Sequence, residues 1–253
     1  MNNGNFNGRV AIVTGAARGM GEAVARRLVA EGARVCLVDR DEEAVMAVAE
    51  TLGDAAALGV AADVRDPAAI EGFVQAAVAR WGRLDMLHNN AGVVGRSGPM
   101  LESDLDDLEF IFAINFRATF LAIKAAVPHL RERGGSIVNM SSLHGTRAAR
   151  GMGLYGASKS AVIGLTRTLA VELAASNIRV NSVAPGAIET TLLRSSNAAL
   201  LPPGTTYDDR LKTHPMARAG TAEEAANLIV WLLGDEAGFV SGSIYHIDGA
   251  LGA

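Results

Sequence analysis

Short apolar runs rich in β-branched residues alternate along this 253-residue chain with longer segments of helical spacing, and that alternation leaves few folds open. The runs are Arg9–Thr14 (RVAIVT), Ala33–Val38 (ARVCLV), Ala57–Ala62, Leu84–His88, Ser136–Met140, Ile178–Val183 and Ser243–Ile247. Helices are predicted between them over Gly19–Glu31, Asp41–Thr51, Pro67 to Arg80, Asp104–Arg131, Tyr155–Ala175 and Ala222–Leu233. Strands that read as continuous apolar runs are buried on both faces, and helical crossovers imply parallel pairing. Repeated right-handed β–α–β units give an α/β fold: a doubly wound parallel sheet with helices on both sides. Periodicity leaves the strand order open. No Pro/Ser-rich linker divides the chain, so residues 1–253 are expected to form a single domain. The one long irregular stretch, Ala187–Pro215, carries Pro202, Pro203, Gly204 and Pro215, and loops of that length inside a compact domain are usually functional lids or disordered segments.

Charge and cysteine content remove several classes of function. With 23 basic and 27 acidic residues the formal charge is −4, which offers no case for a nucleic-acid partner. The single cysteine, Cys36, excludes an internal disulfide framework and a zinc site of several thiolates. His88, His129, His144, His214 and His246 are scattered without ligand spacing, so no catalytic metal is predicted. No apolar run approaches the roughly eighteen residues that span a bilayer, and the opening MNNGNFNGR is polar. A soluble, cytoplasmic protein with no membrane partner is expected.

TGAARGMG, Thr14–Gly21, follows the first strand and opens the first helix. Gly15 permits a tight turn, while Gly19 and Gly21 clear side chains from where a phosphate approaches backbone and where helix packs on strand. A glycine-rich turn with no ligand reads the same way in isolation; the strand–turn–helix context favours a dinucleotide. Asp39 ends the second strand, where a carboxylate accepts hydrogen bonds from the adenosine ribose and repels a 2′-phosphate. Arg18 and Arg40 are each open to pairing a phosphate or standing solvated. NAD is therefore expected over NADP.

Ser141–Ser142 closes the fifth strand, and YGASK, Tyr155–Lys159, starts the next helix. Positions i and i+4 share a helix face, so the Tyr155 hydroxyl and the Lys159 ammonium can converge. Other fragments accompany them: NNAG at Asn89–Gly92, FAINF around Asn115, NSVAPG at Asn181–Gly186, IET at Ile188–Thr190 and IDGA at Ile247–Ala250. Together these motifs resemble, over essentially the whole chain, the short single-domain branch of the short-chain dehydrogenase/reductase family. The family more often ends the last motif in a second glycine, so Ala250 is a departure expected to touch packing, not chemistry.

The resemblance implies a Rossmann-like fold in three αβα layers and a catalytic tetrad of Asn115, Ser142, Tyr155 and Lys159. Tyr155 would be base in alcohol oxidation and acid in ketone reduction. A free phenol titrates near 10, so a positive charge from Lys159, with the cofactor's own nicotinamide charge, is expected to stabilise the phenolate and bring it down. Ser142 would hold the substrate oxygen, Lys159 would also bind the nicotinamide ribose, and Asn115 would interrupt its helix and hold a relay water. The implied cofactor residues are Gly15, Arg18, Gly19, Met20, Gly21, Asp39 and Arg40 at the turn, and Asp63 and Val64 at the adenine. Asn90 would meet the adenosine-side ribose, Tyr155 and Lys159 the nicotinamide ribose, and Pro185, Gly186, Ile188 and Thr190 the nicotinamide side. Asn89 is expected to tie strands together.

Substrate contacts are expected from Val94, Ser142, His144, Met152, Tyr155 and Leu192, under a substrate loop over about 187–217. The family implies a homotetramer with one interface on the helices beginning near Asp104 and Tyr155 and another on the C-terminal helix and strand; Ala113, Ala118, Ala122, Ala161 and Gly164 are small enough for close contact, and equally so inside a monomer. The function expected is transfer of a hydride between NAD and a small-molecule secondary alcohol or ketone. The alternatives are an NADPH-dependent reductase of 3-oxoacyl or other carbonyl groups and, more remotely, a dinucleotide-binding regulator without turnover.

Overall fold

The structure, a computed structural model, describes residues 6–190 and 204–253. Leu192, one of the expected substrate contacts, and Leu193, Leu200 and Leu201 lie outside the described residues.

The strands are β1 (Val10–Thr14), β2 (Arg34–Asp39), β3 (Ala57–Ala61), β4 (Met86–Asn89), β5 (Gly135–Met140), β6 (Ile178–Pro185) and β7 (Ile244–Ile247). They form one seven-stranded sheet in the order β3-β2-β1-β4-β5-β6-β7. Every pairing is parallel, with Ile12 beside Cys36 on one flank of β1 and Leu87 on the other. The helices are α1 (Gly19–Ala30), α2 (Glu42–Leu52), α3 (Pro67–Trp81), α4 (Leu105–Phe112), α5 (Ala118–Leu130), α6 (Gly153–Leu173), α7 (Tyr207–Lys212) and α8 (Ala222–Leu233).

Strand alternation sorts the core into two layers. Ala11, Val13, Val35 and Leu37 pack with α1 residues Val24 and Leu28 and α8 residues Ile229 and Leu233. Val10, Ile12, Cys36 and Val38 face Phe73 of α3, Ile123 of α5 and Leu173 of α6. Fully burying each Val, Leu, Ile or Phe is worth about 1.5–3 kcal/mol, so both faces of the sheet contribute.

The chain winds outward from β1 to β3, then restarts at β4 beside β1 and winds the other way. At that reversal the connections diverge and leave a crevice at the carboxyl ends of the strands.

Three expectations need correction. The predicted helix 104–131 is broken by a π-turn at Ala113–Arg117 that contains Asn115, as the resemblance implied for that residue. The stretch 187–215 is not wholly irregular: Thr206 and Asp209 form a capping box that starts α7, and Ile188 pairs with Gly220 as a parallel bridge. The sequence expectation that no segment is long and apolar enough to span a bilayer also fails. The run Leu105–Leu130 passes by length and by its mean hydropathy of 1.6, but its buried side chains, including Ile123 and Leu130, pack in the sheet's own core.

Candidate active site

The crevice is assembled from the turns that follow β1, β2, β4, β5 and β6. After β1, Gly15 and Gly19 adopt φ values of 65° and 60°, in the left-handed region that favours glycine. A Cβ on Gly21 would stand 2.1 Å from the Gly15 carbonyl oxygen, so helix and turn meet here with room for hydrogen alone. Asn90 seals the turn from β4: its side-chain amide donates to the carbonyls of Thr14 (2.9 Å) and Gly15 (3.0 Å). Its neighbour Asn89 donates to the Asn139 side chain at 2.9 Å, the interstrand tie expected of it.

The N-terminus of α1 has no side-chain cap, whereas Asp41, Asp66 and Asp104 cap α2, α3 and α4. Uncapped amides carrying the positive end of the helix dipole suit a phosphate. The cradle that only glycine fits, these amides and the carboxylate beyond them fit a nicotinamide dinucleotide.

That carboxylate is Asp39, at the end of β2. Its two oxygens accept from the amides of Ala17 and Asp41, each at 3.1 Å, which fixes the side chain at the cleft wall. Arg18 is engaged with Asp41, an ion pair that also holds the Asp41 carboxyl below its ordinary range. Arg40 stands exposed on the same wall, close enough to Asp41 and Asp63 to lower both carboxyls after their nearer partners. Asp63 is clamped by the backbone amide and guanidinium of Arg65, with Val64 between them at the cleft. Ala91, Val93, Ile114 and Arg65 also line this end, and the sequence reading did not single them out. Met20, Asn90, Gly92 and Thr190 line both ends, so the cleft is continuous past the glycine turn.

At the other end lie Ser142, Tyr155 and Lys159, with Val94, His144 and Met152 around them and Pro185, Gly186 and Ile188 opposite. Ser142 is buried, and its hydroxyl accepts from the amide of His144 at 3.2 Å. The Tyr155 ring lies edge-on to His144, with centroids 6.3 Å apart. Lys159 is buried; its ammonium donates to the Met140 carbonyl at 2.8 Å and sits 5.9 Å from the Tyr155 ring centroid. Burial brings Lys159 down to about 8.

Burial raises Tyr155, and the opposing influence is a hydrogen bond with Ser142. Asn115 is buried behind the site. Its side chain accepts from the Val93 amide (2.9 Å) and donates to the Val93 carbonyl (2.9 Å) and the Ser158 hydroxyl (3.0 Å). These bonds pin the loop after β4 to α6.

Arg210, His214 and Leu251 also line the catalytic end. Sequence reading missed all three as site residues. No spacing marks them, because they arrive on a short helix, the turn after it and the C-terminal tail.

A family profile described as enoyl-(acyl carrier protein) reductase matches residues 15–251. The levodione reductase of Leifsonia aquatica is 38% identical over 255 residues, covering 98% of this chain and 96% of that protein. A crystal structure of levodione reductase superposes with a TM-score of 0.93 at 37% identity, covering 98% of both chains. Two further solved structures are similar over nearly their whole length, each at 32% identity. NAD+-bound xylitol dehydrogenase gives a TM-score of 0.91, covering 97% of this chain and 99% of its own. The 3-ketoacyl-(acyl-carrier-protein) reductase of Brucella melitensis complexed with NADH gives 0.89, covering 98% and 100%. The profile match over residues 15–251 and the similarity to these relatives along nearly the full chain show the family: it belongs to the short-chain dehydrogenases/reductases, oxidoreductases acting on CH–OH groups.

Proposed function

We propose that this chain is an NAD-dependent oxidoreductase of a secondary alcohol or ketone in which Tyr155 exchanges the proton. The observation that carries the choice of NAD is Asp39, its carboxylate locked by two backbone amides at the adenosine end. A locked carboxylate accepts from ribose hydroxyls and repels a 2′-phosphate; a like-charge pair at about 4 Å costs roughly 4 kcal/mol at an effective dielectric near 20. Arg18, the nearest cation to the turn, is paired with Asp41. The relatives solved with NAD+ and NADH support the same choice.

Gly15, Gly19, Met20 and Gly21 would hold the pyrophosphate; Asp39, Arg40, Asp63, Val64 and Asn90 the adenosine; and Lys159, Pro185, Gly186, Ile188 and Thr190 the nicotinamide end. The bound dinucleotide supplies the hydride acceptor or donor. Ser142 orients the substrate oxygen, and Tyr155 takes its proton in oxidation and returns it in reduction. Lys159 supplies positive charge behind the phenol, Asn115 positions the loop over it, and residues 187–217 form the substrate loop. The chain works as a cytoplasmic homotetramer, a reading supported by exposed Leu105, Phe110 and Phe120 on α4 and α5 and Val171 on α6.

Reduced-nicotinamide absorbance, followed with NAD and NADP in parallel across cyclic, aliphatic and steroid secondary alcohols, tests the assignment. Turnover with NAD is expected. Turnover with NADP alone would overturn it, make Arg40 the phosphate ligand and favour an NADPH-dependent carbonyl reductase.

A further inference from the structure

The adenosine end of the cleft holds two carboxylates fixed by different means. Asp39 is held by backbone amides alone, those of Ala17 and Asp41. Asp63 is held chiefly by a side chain. Its Oδ1 accepts from the Arg65 amide at 2.9 Å and from Arg65 Nε at 3.1 Å. Its Oδ2 accepts from Nε at 2.9 Å and from Nη2 at 2.6 Å. The guanidinium fork grips both oxygens and holds the carboxyl below its ordinary range.

Arg65 is anchored in turn. Its carbonyl accepts from Arg117 Nη2 at 3.1 Å, and Arg117 closes the π-turn that sends Asn115 to Val93 and Ser158. The Asp63 carbonyl accepts from the Asp66 amide at 3.0 Å, and Asp66 caps α3. Asp63, Val64 and Arg65 line the cleft beside Asp39 and Arg40, with Asp63 half-buried and Arg65 exposed. An exposed ion pair adds little to folding. The effect of this one is on direction: it removes rotamer freedom from an acceptor that a bound base would otherwise have to order.

We infer that Arg65 is a positioning residue, which selects adenine as the base of the dinucleotide by aiming the Asp63 carboxylate at its exocyclic amino group. The inference rests on the dinucleotide reading above, in which Asp63 meets the adenosine. An amino group at C6 donates to a carboxylate; a carbonyl at the same carbon, as in hypoxanthine, meets it acceptor to acceptor. A fixed carboxylate tells the two apart. A freely turning one swings away from the carbonyl and loses that discrimination.

Fluorescence titration of the full chain with NADH and with reduced nicotinamide hypoxanthine dinucleotide reads this selection without turnover. The wild-type chain is expected to bind NADH about tenfold tighter or more, the range of a hydrogen bond to a charged group. In Arg65→Ala the NADH Kd should rise about three- to tenfold and the ratio between the two nucleotides should fall toward one. Arg65→Lys keeps the charge without the fork and should recover part of both. In turnover the change should appear in KM for NAD and not in kcat. A wild-type ratio near one, a ratio that Arg65→Ala leaves as it was or raises, or a loss confined to kcat overturns the inference and leaves the dinucleotide reading standing. NADPH bound in preference to NADH, with the base ratio still lost in Arg65→Ala, overturns the choice of NAD and keeps Arg65 in its role. Binding of neither nucleotide overturns both.

Discussion

Two effects oppose each other on the Tyr155 proton. Burial disfavours the phenolate, and Ser142 favours it through a hydrogen bond. Tyr155→Phe keeps the ring against His144 and removes the proton, so kcat should fall by about 10²–10⁴-fold, the range for general acid–base catalysis. NADH binding, followed by fluorescence titration, should be little changed; near wild-type turnover would remove Tyr155 from the mechanism. His88, on β4, carries a second buried proton site. It is fully buried, with Nδ1 3.0 Å from the Val138 carbonyl and Nε2 without a partner. Burial lowers it to about 4 from an ordinary 6.5. Between those values the unfolded chain binds the additional proton, so stability is present above about 6.5 and is lost as pH falls toward 4, by up to about 3 kcal/mol. His88→Asn retains a donor and cannot titrate. Its urea midpoint should start lower yet lose less between pH 7 and pH 4, and parallel slopes would sink the assignment. Motif spacing brought Ser142, Tyr155 and Lys159 together correctly, but the direction of each shift depends on burial, which spacing does not encode.

Apart from the break at Ala113–Arg117 and the unpredicted α7, element boundaries in the sequence reading follow physical markers and fall within a residue or two of those in the structure. Pro67 opens α3 behind an Asp66 cap, and Thr221 with Glu224 closes a capping box on α8. The π-turn at Asn115 was legible only through the family resemblance. No local propensity calls for it, and its reason is tertiary, because the side chain must reach Val93 and Ser158. Ala250 shows the opposite case, a sequence departure whose meaning the backbone supplies. It sits at φ 68°, in the left-handed region, in the tight turn after β7 where the Asp248 side chain accepts from the amides of Ala250 and Gly252. A Cβ there costs about 1 kcal/mol, part of which a glycine returns as unfolded-state entropy. Ala250→Gly should therefore raise stability by about 0.5 kcal/mol in equilibrium denaturation with kcat unaltered. A clear loss of stability would mean that the methyl group packs usefully.

Over the whole molecule, the site is a meeting of segments far apart in the chain: the turn after β1, Asp39, the Asn90 loop, Ser142, α6, the end of β6 and α7. Ala118 and Ala122, equally suited to a contact between helices of different subunits, are buried in the chain's own core, while Leu105, Phe110, Phe120 and Val171 stand exposed. Sedimentation velocity is expected to find a tetramer, and charged substitutions at Phe120 and Val171 together should dissociate it; a monomer at micromolar concentration would overturn that reading. Alternating apolar runs and the glycine turn were enough to determine the fold class and the end of the sheet that carries the site, and the family resemblance of the motifs implied the chemistry to expect there, because each is a short-range pattern written in consecutive residues. Strand order, the pairing of Arg18 with Asp41, the raised phenol and the arrival of Arg210, His214 and Leu251 at one cavity were decided by the tertiary structure alone. Those outcomes depend on burial and on charges acting through space between segments that have no sequence relation to one another.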